Sequence, residues 1–199
     1  MKTNTIILIS VIAVLVIAFF SGITTFNKLV TERENVNNQW GNVQSQYQRR
    51  SDLIPNLVET VKGYATHEKS TLESVIEARA KATQVKFDIK DINSLTPEKM
   101  QQYQAAQGAL SSALGKLLMI KESYPELKAN QNFLELQAQL EGTENRISVE
   151  RMRYNDVVKN YDVIIQRFPA AMFAGMFGFE KKPYFEAEKE AAKAPAVKF

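Results

Sequence analysis

His67 is the chain's one histidine, and cysteine is absent. Those two facts narrow the available chemistry at once. A histidine acting as general base needs a nucleophile and an orienting partner, and nothing in the sequence marks either. A zinc-type site needs further histidine or cysteine ligands. A di-metal carboxylate site in a helical bundle asks for Glu-x-x-His on two helices, which one histidine cannot furnish. No Gly-x-Ser-x-Gly or Walker sequence occurs. No serine or threonine is marked as a nucleophile working with lysine. His67 therefore reads as a turn or cap residue. No catalytic, metal-binding or cofactor-binding residue is assigned, no cofactor is expected, and the chain is not expected to be an enzyme.

Charged residues inside apolar stripes are the second place to look. Alternating steps of four and three from Leu29 meet Arg33, Val36, Trp40, Val43, Tyr47, Arg50, Ile54, Leu57, Val61 and Tyr64. A mean spacing of 3.5 keeps one face of a helix turned toward a partner helix. The same alternation from Phe133 meets Gln137, Leu140, Glu144, Ile147, Arg151, Tyr154, Val158, Tyr161, Ile165 and Phe168. Laid antiparallel with Tyr64 beside Pro125, the two stripes put Arg49 beside Glu141 and Arg50 about a turn and a half from Glu144. A small shift of register brings Arg50 and Glu144 together. Such a pair can fix register at some cost in stability. The alternative is an arginine that extends to solvent along the helix surface.

The elements that position these residues follow from the pattern. Each stripe needs a long helix, about 54 Å for 36 residues. Glycine (8) and proline (6) are scarce in the 199 residues, which suits long helices rather than a sandwich or barrel. With 25 basic and 22 acidic residues and no single-sign run, nothing points to nucleic acid. Missing cysteine also excludes disulfides and a lipidated thiol.

Residues 1–25 hold an apolar segment: Ile6, Ile7, Leu8, Ile9, Val11, Ile12, Val14, Leu15, Val16, Ile17, Phe19 and Phe20. About 18 residues is near the lower limit for crossing the hydrocarbon core. The flank Phe19-Phe20-Ser21-Gly22-Ile23 is a poor cleavage site, so a retained single-pass anchor is preferred over a signal peptide. Lys2 on one side and Lys28 and Arg33 on the other leave orientation undecided by charge.

Residues 26–168 read as a long-helix coiled bundle. Pro55 predicts a kink or a fresh helix start, the kink preferred because the stripe keeps phase across it. A second helix is expected over about 68–85, with Leu72, Val75, Ile76, Arg79 and Ala82 or Thr83 on one face. A loop is expected over 87–95. Thr96-Pro97-Glu98 starts a third helix running to about Glu122. The fourth runs from Asn130 to before Pro169. The fold class is therefore all-α: an anchor helix continuing into an antiparallel four-helix bundle. Because the middle helices are about half as long, the half nearer the anchor should be a two-helix stem with an uncovered apolar flank, predicting self-association. Residues 169–179 form an uncharged apolar segment folded back toward the bilayer. Phe168, Met172, Phe173, Met176, Phe177 and Phe179 are its candidate membrane or subunit contacts. Residues 180–199 read as a flexible tail in which Pro183-Tyr184-Phe185 is a candidate docking peptide.

Four stretches are familiar: RRSDLIPNLVETVKGYATHE (49–68), YPELKANQNFLELQAQLEGTENRI (124–147), the Arg153-Tyr154-Asn155 triplet, and FPAAMFAGMFGFEKKPYFEA (168–187). Together they resemble the LemA family of bacterial membrane proteins. The resemblance implies one transmembrane helix, a long-helix bundle and a domain on the cytoplasmic side. It implies no catalytic residues. A relative in magnetic bacteria is associated with shaping magnetosome membranes, which favours membrane organisation by analogy. The expected function is a membrane-anchored helical scaffold that contacts the lipid bilayer, forms a homo-oligomer and organises membrane or partner proteins. The alternative is an adaptor that binds a partner helix or peptide and regulates a membrane protease or sensor. A hydrolase or metal enzyme is the weakest reading.

Overall fold

A computed structural model of the chain describes residues 2–87, 89 and 91–186. Every regular element in it is helical. In chain order these are α1 (Lys2–Tyr64), α2 (Lys69–Phe87), α3 (Pro97–Met119) running into a 3-10 turn (Ile120–Glu122), the single turn α4 (Pro125–Lys128), α5 (Gln131–Gln166) and α6 (Ala170–Ala174). The expected all-α class holds. The apolar segment and the first stripe are one helix of 63 residues, about 95 Å long.

Local chemistry sets the ends. Pro55 lies within α1 without starting a new helix. The Thr96 hydroxyl accepts the Lys99 N–H at 3.3 Å, and Pro97 takes the first helical position. Asn130 caps α5 by accepting the Phe133 N–H at 2.9 Å.

The α1 and α5 stripes meet as an antiparallel pair. Asn130 donates to the Tyr64 hydroxyl at 2.8 Å, Arg50 meets Glu144, and Trp40 meets Tyr154. One register serves all three contacts: each step back along α1 matches the same step forward along α5. Tyr64 therefore stands opposite Asn130 rather than Pro125. The α2–α3 hairpin covers the distal half of this pair. Leu72, Val75, Leu110, Leu114 and Leu117 close over Ile54, Leu57, Val61, Phe133 and Leu140. Arg79 fastens α2 to α1 by donating from Nε to the Ser51 carbonyl at 3.0 Å. Ile76 departs from expectation and is 54% exposed. It sits about 100° around the helix from Val75, and only Val75 faces the bundle.

The half nearer the apolar segment differs more. The expected bare two-helix stem is not bare. Ile89, Ile92 and Leu95, from the loop after α2, are buried against Leu29, Val36 and Trp40 of α1 and Tyr154, Val158 and Tyr161 of α5. Asp91 holds that loop in a turn by accepting the Asn93 and Ser94 N–H groups at 2.8 and 2.9 Å. On the other side the chain after α5 returns along the stem and buries Ala170, Ala174, Phe179 and Phe185 in the same core. Residues 180–186, expected as the start of a free tail, are thus part of the fold. Phe185 is too large an apolar side chain to leave in water beside an open aromatic seat. The expected tail from residue 187 onward lies outside the described residues.

Burial holds the phenols of Tyr103 and Tyr154 well above their ordinary range, and that of Tyr161 is pushed up to about 12. The folded chain keeps these protons where the unfolded chain, ionising near 10, has lost them. Stability should therefore fall as pH rises above about 10. Melting temperature should drop steeply from there, with tyrosinate absorbance appearing together with loss of helix. Phenols that ionise at their ordinary value while the helices stay intact would contradict this packing.

Candidate functional site

Two places concentrate chemistry. The first is Arg50, whose side chain is 1% exposed although it carries a full charge. Its Nη1 donates to Glu144 Oε1 and to Ser111 Oγ, each at 2.6 Å. Its Nη2 donates to Gln107 Oε1 at 2.5 Å and to the Gln107 carbonyl at 3.3 Å. The Tyr47 ring lies 5.1 Å from the guanidinium carbon. One α1 side chain thereby binds α3 and α5 together. Nε has no partner among the described residues. A cleft of about 60 Å³ opens beside it, walled by Gln104, Gly108, Ile147 and Arg151.

The guanidinium is a fixed charge with five donors and no acceptor, which suits it to holding partners rather than to acid–base work. What it offers is position. A charge this deep is tolerable only where it is paired, and its Nη1 and Nη2 donors are met in one alignment of three helices. Among the described residues no group of three or more His, Asp or Glu is placed to hold a metal ion. His67 lies exposed in the turn between α1 and α2, as its sequence context predicts.

The second place is where α6 meets α1, at the edge of the apolar segment. The Phe173 ring lies 3.6 Å from where a Cβ on Gly22 would stand. Phe177 packs edge-on against Phe26 at 5.0 Å, and Phe179 does so at 5.8 Å with the Arg33 guanidinium 5.1 Å from its ring. Ala18, Phe19, Gly22, Ile23 and Phe26 form with Phe173 and Phe177 an apolar groove of about 350 Å³. Phe168, Met172 and Met176 point outward, 82, 65 and 77% exposed. The six expected contact residues thus divide. Phe168, Met172 and Met176 form an open face, Phe173 and Phe177 sit partly against α1, and Phe179 is buried in the chain's own core. Phe179 is withdrawn as an external contact because Phe26 and Arg33 already cover it. The residues expected in the anchor are exposed on every side, and α1 is long and apolar enough to cross a membrane.

Sequence reasoning left the receptor for residues 180–186 unassigned. Asn155 donates from Nδ2 to the Phe185 carbonyl and accepts the Phe185 N–H, both at 2.9 Å. The Tyr154 hydroxyl donates to the Pro183 carbonyl at 3.0 Å. Nearby, buried Asp162 accepts the Lys182 backbone N–H at 3.2 Å. Burial raises this carboxyl and lowers the Lys182 ammonium, which donates to Asn93 at 3.2 Å. A signal was present: the Arg153-Tyr154-Asn155 triplet and the 168–187 stretch are two of the four familiar motifs, and they meet here. Arg153 itself faces away and pairs with Glu150 at 2.7 Å.

The model of the LemA family matches residues 39–199, which takes in the Arg50 cluster, α5 and the returning segment. The chain belongs to the LemA family. Among relatives, magnetosome protein MamQ 2 of Paramagnetospirillum magneticum is 27% identical over 94% of this chain and 74% of its own length. Magnetosome protein MamQ of Magnetospirillum gryphiswaldense is 26% identical over 94% and 75%. Protein LemA of Metamycoplasma hominis is 22% identical over 76% and 64%. With its exposed apolar helix, this LemA-family chain is a membrane-associated helical protein.

Replacing Arg50 by alanine should cost about 2–5 kcal/mol, because it empties a large buried side chain and leaves Gln107 and Ser111 beside the void. Glu144→Gln should cost less, since Glu144 is 41% exposed. Denaturant unfolding of both single variants and the double variant should return a coupling energy above about 0.5 kcal/mol. Additive costs would mean that the pair does not hold the helices in register.

Proposed function

We propose that this LemA-family chain is a non-enzymatic, membrane-anchored scaffold whose copies associate side by side in the membrane plane and organise membrane or partner proteins. The observation that carries the reading is that one unbroken helix holds both the exposed apolar span and the seam of the bundle. The bundle is thereby tied rigidly to the bilayer rather than swinging from a linker. The antiparallel return of α5 brings Phe168, Met172 and Met176 to the edge of that span, where an open apolar face can meet lipid or a neighbouring copy. Because the stem is covered by the chain itself, this face replaces the stem as the surface for association. That relatives are named as magnetosome proteins supports a place in membrane organisation.

The adaptor reading has one observation in its favour. Between α2 and α3 runs a shallow groove floored by Ala78, Ala105, Ala106 and Ala109. Small residues let another helix approach closely. The groove does not account for the apolar face beside the anchor, so the scaffold reading is preferred.

Full-length protein in lipid nanodiscs or native membranes should give a defined assembly larger than one chain, measured by crosslinking and mass. Met172→Glu with Met176→Glu should reduce that assembly at least severalfold while leaving helix content unchanged. A chain that stays monomeric in lipid, or an assembly indifferent to those two substitutions, would overturn the reading.

A further inference from the structure

Residues 180–186 lie in a seat whose side chains hold an extended backbone and one aromatic ring. Residues 180–186 run along the bundle with no regular structure. Among the described residues, no main-chain to main-chain bond ties them to it. Side chains of α3 and α5 grip their backbone instead. Asn155 satisfies both the N–H and the carbonyl of Phe185, as a neighbouring strand would. Gln104 accepts the Glu186 N–H at 3.2 Å, and Arg151 donates to the Glu186 carbonyl at 3.0 Å. The Phe185 ring is stacked on Trp40 at 5.9 Å and meets Tyr154 edge-on at 5.3 Å, with the Arg151 guanidinium 4.9 Å from it. Such a grip reads an extended backbone and one buried aromatic. It does not depend on which chain supplies them.

The link between α6 and this strap is short and built to turn. Residues 175–178 form it, and Gly178 holds φ +70°, a left-handed conformation that side chains resist. Straightened, four residues reach about 14 Å. Exchange therefore requires the links of two copies to lie within that reach of one another. Phe168 and Met172 of the apolar face lie just before this link and Met176 lies within it, so the surface proposed to bring copies side by side adjoins the hinge.

We propose that residues 179–186 exchange between copies, so that Phe185 of one chain fills the seat formed by Trp40, Tyr154, Asn155 and Arg151 of another. The contacts between strap and seat are the same in either arrangement, and what straightening gives up lies in the link: the Phe177–Phe26 ring contact and the Phe179 N–H bond to the Ala174 carbonyl. Swapped segments form at low cost once copies are adjacent. The inference rests on the self-associating scaffold reading. The two fail separately, because assembly size is measured without any linkage between straps.

The absence of native cysteine gives a clean test. Full-length chains carrying either Gln104→Cys or Glu186→Cys would be expressed together in one membrane and treated with a short bis-maleimide. Exchange predicts a two-chain product that needs both substitutions. Phe185→Ala in the Glu186→Cys chain should reduce that product at least fivefold, and Gly178→Val, which strains the closed turn, should raise it about twofold. Chains that assemble to full size yet give no two-chain product, while a chain bearing both cysteines closes on itself, would overturn exchange and leave the scaffold standing. A two-chain product indifferent to Phe185→Ala would also overturn it, since the copies would then be meeting through another surface.

Discussion

The antiparallel seam between α1 and α5 is the constraint on which the other features depend, and Arg50 sits at its most demanding point. A seam of leucine, valine and isoleucine alone tolerates sliding by a turn, because each apolar side chain accepts many neighbours. A buried guanidinium does not. Its Nη1 and Nη2 donors are met by Gln107, Ser111 and Glu144 in one alignment, and a slip would leave a charge without partners inside the bundle. Replacing the cluster with well-packed apolar side chains of similar volume could stabilise the fold. What would be given up is the single register.

That register determines what happens about 40 Å away along α1. With Arg50 opposite Glu144, α5 ends level with the start of the stripe on α1, and the chain that follows meets Gly22 and Phe26. The aromatic end, the covering of the stem and the seating of Phe185 are consequences of one alignment. Two residues serve the joins. Gly22 leaves room for the Phe173 ring, and Asn155 completes the hydrogen bonds of a strap that has no strand beside it.

The helices were legible because helical periodicity persists over many turns. The stripe from Leu29 to Val61 is buried apart from Arg33, which is partly so, and the Thr96-Pro97 start is where the spacing places it. Arg50 and Glu144 were legible as a pair because each interrupts an apolar stripe. The cover of the stem was not legible. Ile89, Ile92 and Leu95 come from an irregular loop, where side-chain direction follows from turns such as that at Asp91 and no period announces it. Residues 180–186 look solvated because four of the seven are charged. The docking depends on Phe185, and its receptor is assembled from α1, α3 and α5, far apart in sequence. Ile76 misled for a simpler reason: it lies about 100° around α2 from Val75, and the bundle covers only the Val75 side there.

The central claim is that the α1–α5 register sets the outward apolar face at the level of the bilayer surface. Nitroxide labels placed singly at Phe20, Met172, Met176 and His67 of the full-length protein in liposomes, read by collision with oxygen and with a water-soluble metal complex, test this most directly. The account predicts that labels at Met172 and Met176 favour oxygen as the label at Phe20 does, while His67 favours the aqueous reagent. Labels at Met172 and Met176 that behave like His67 would place that face in water and contradict the account.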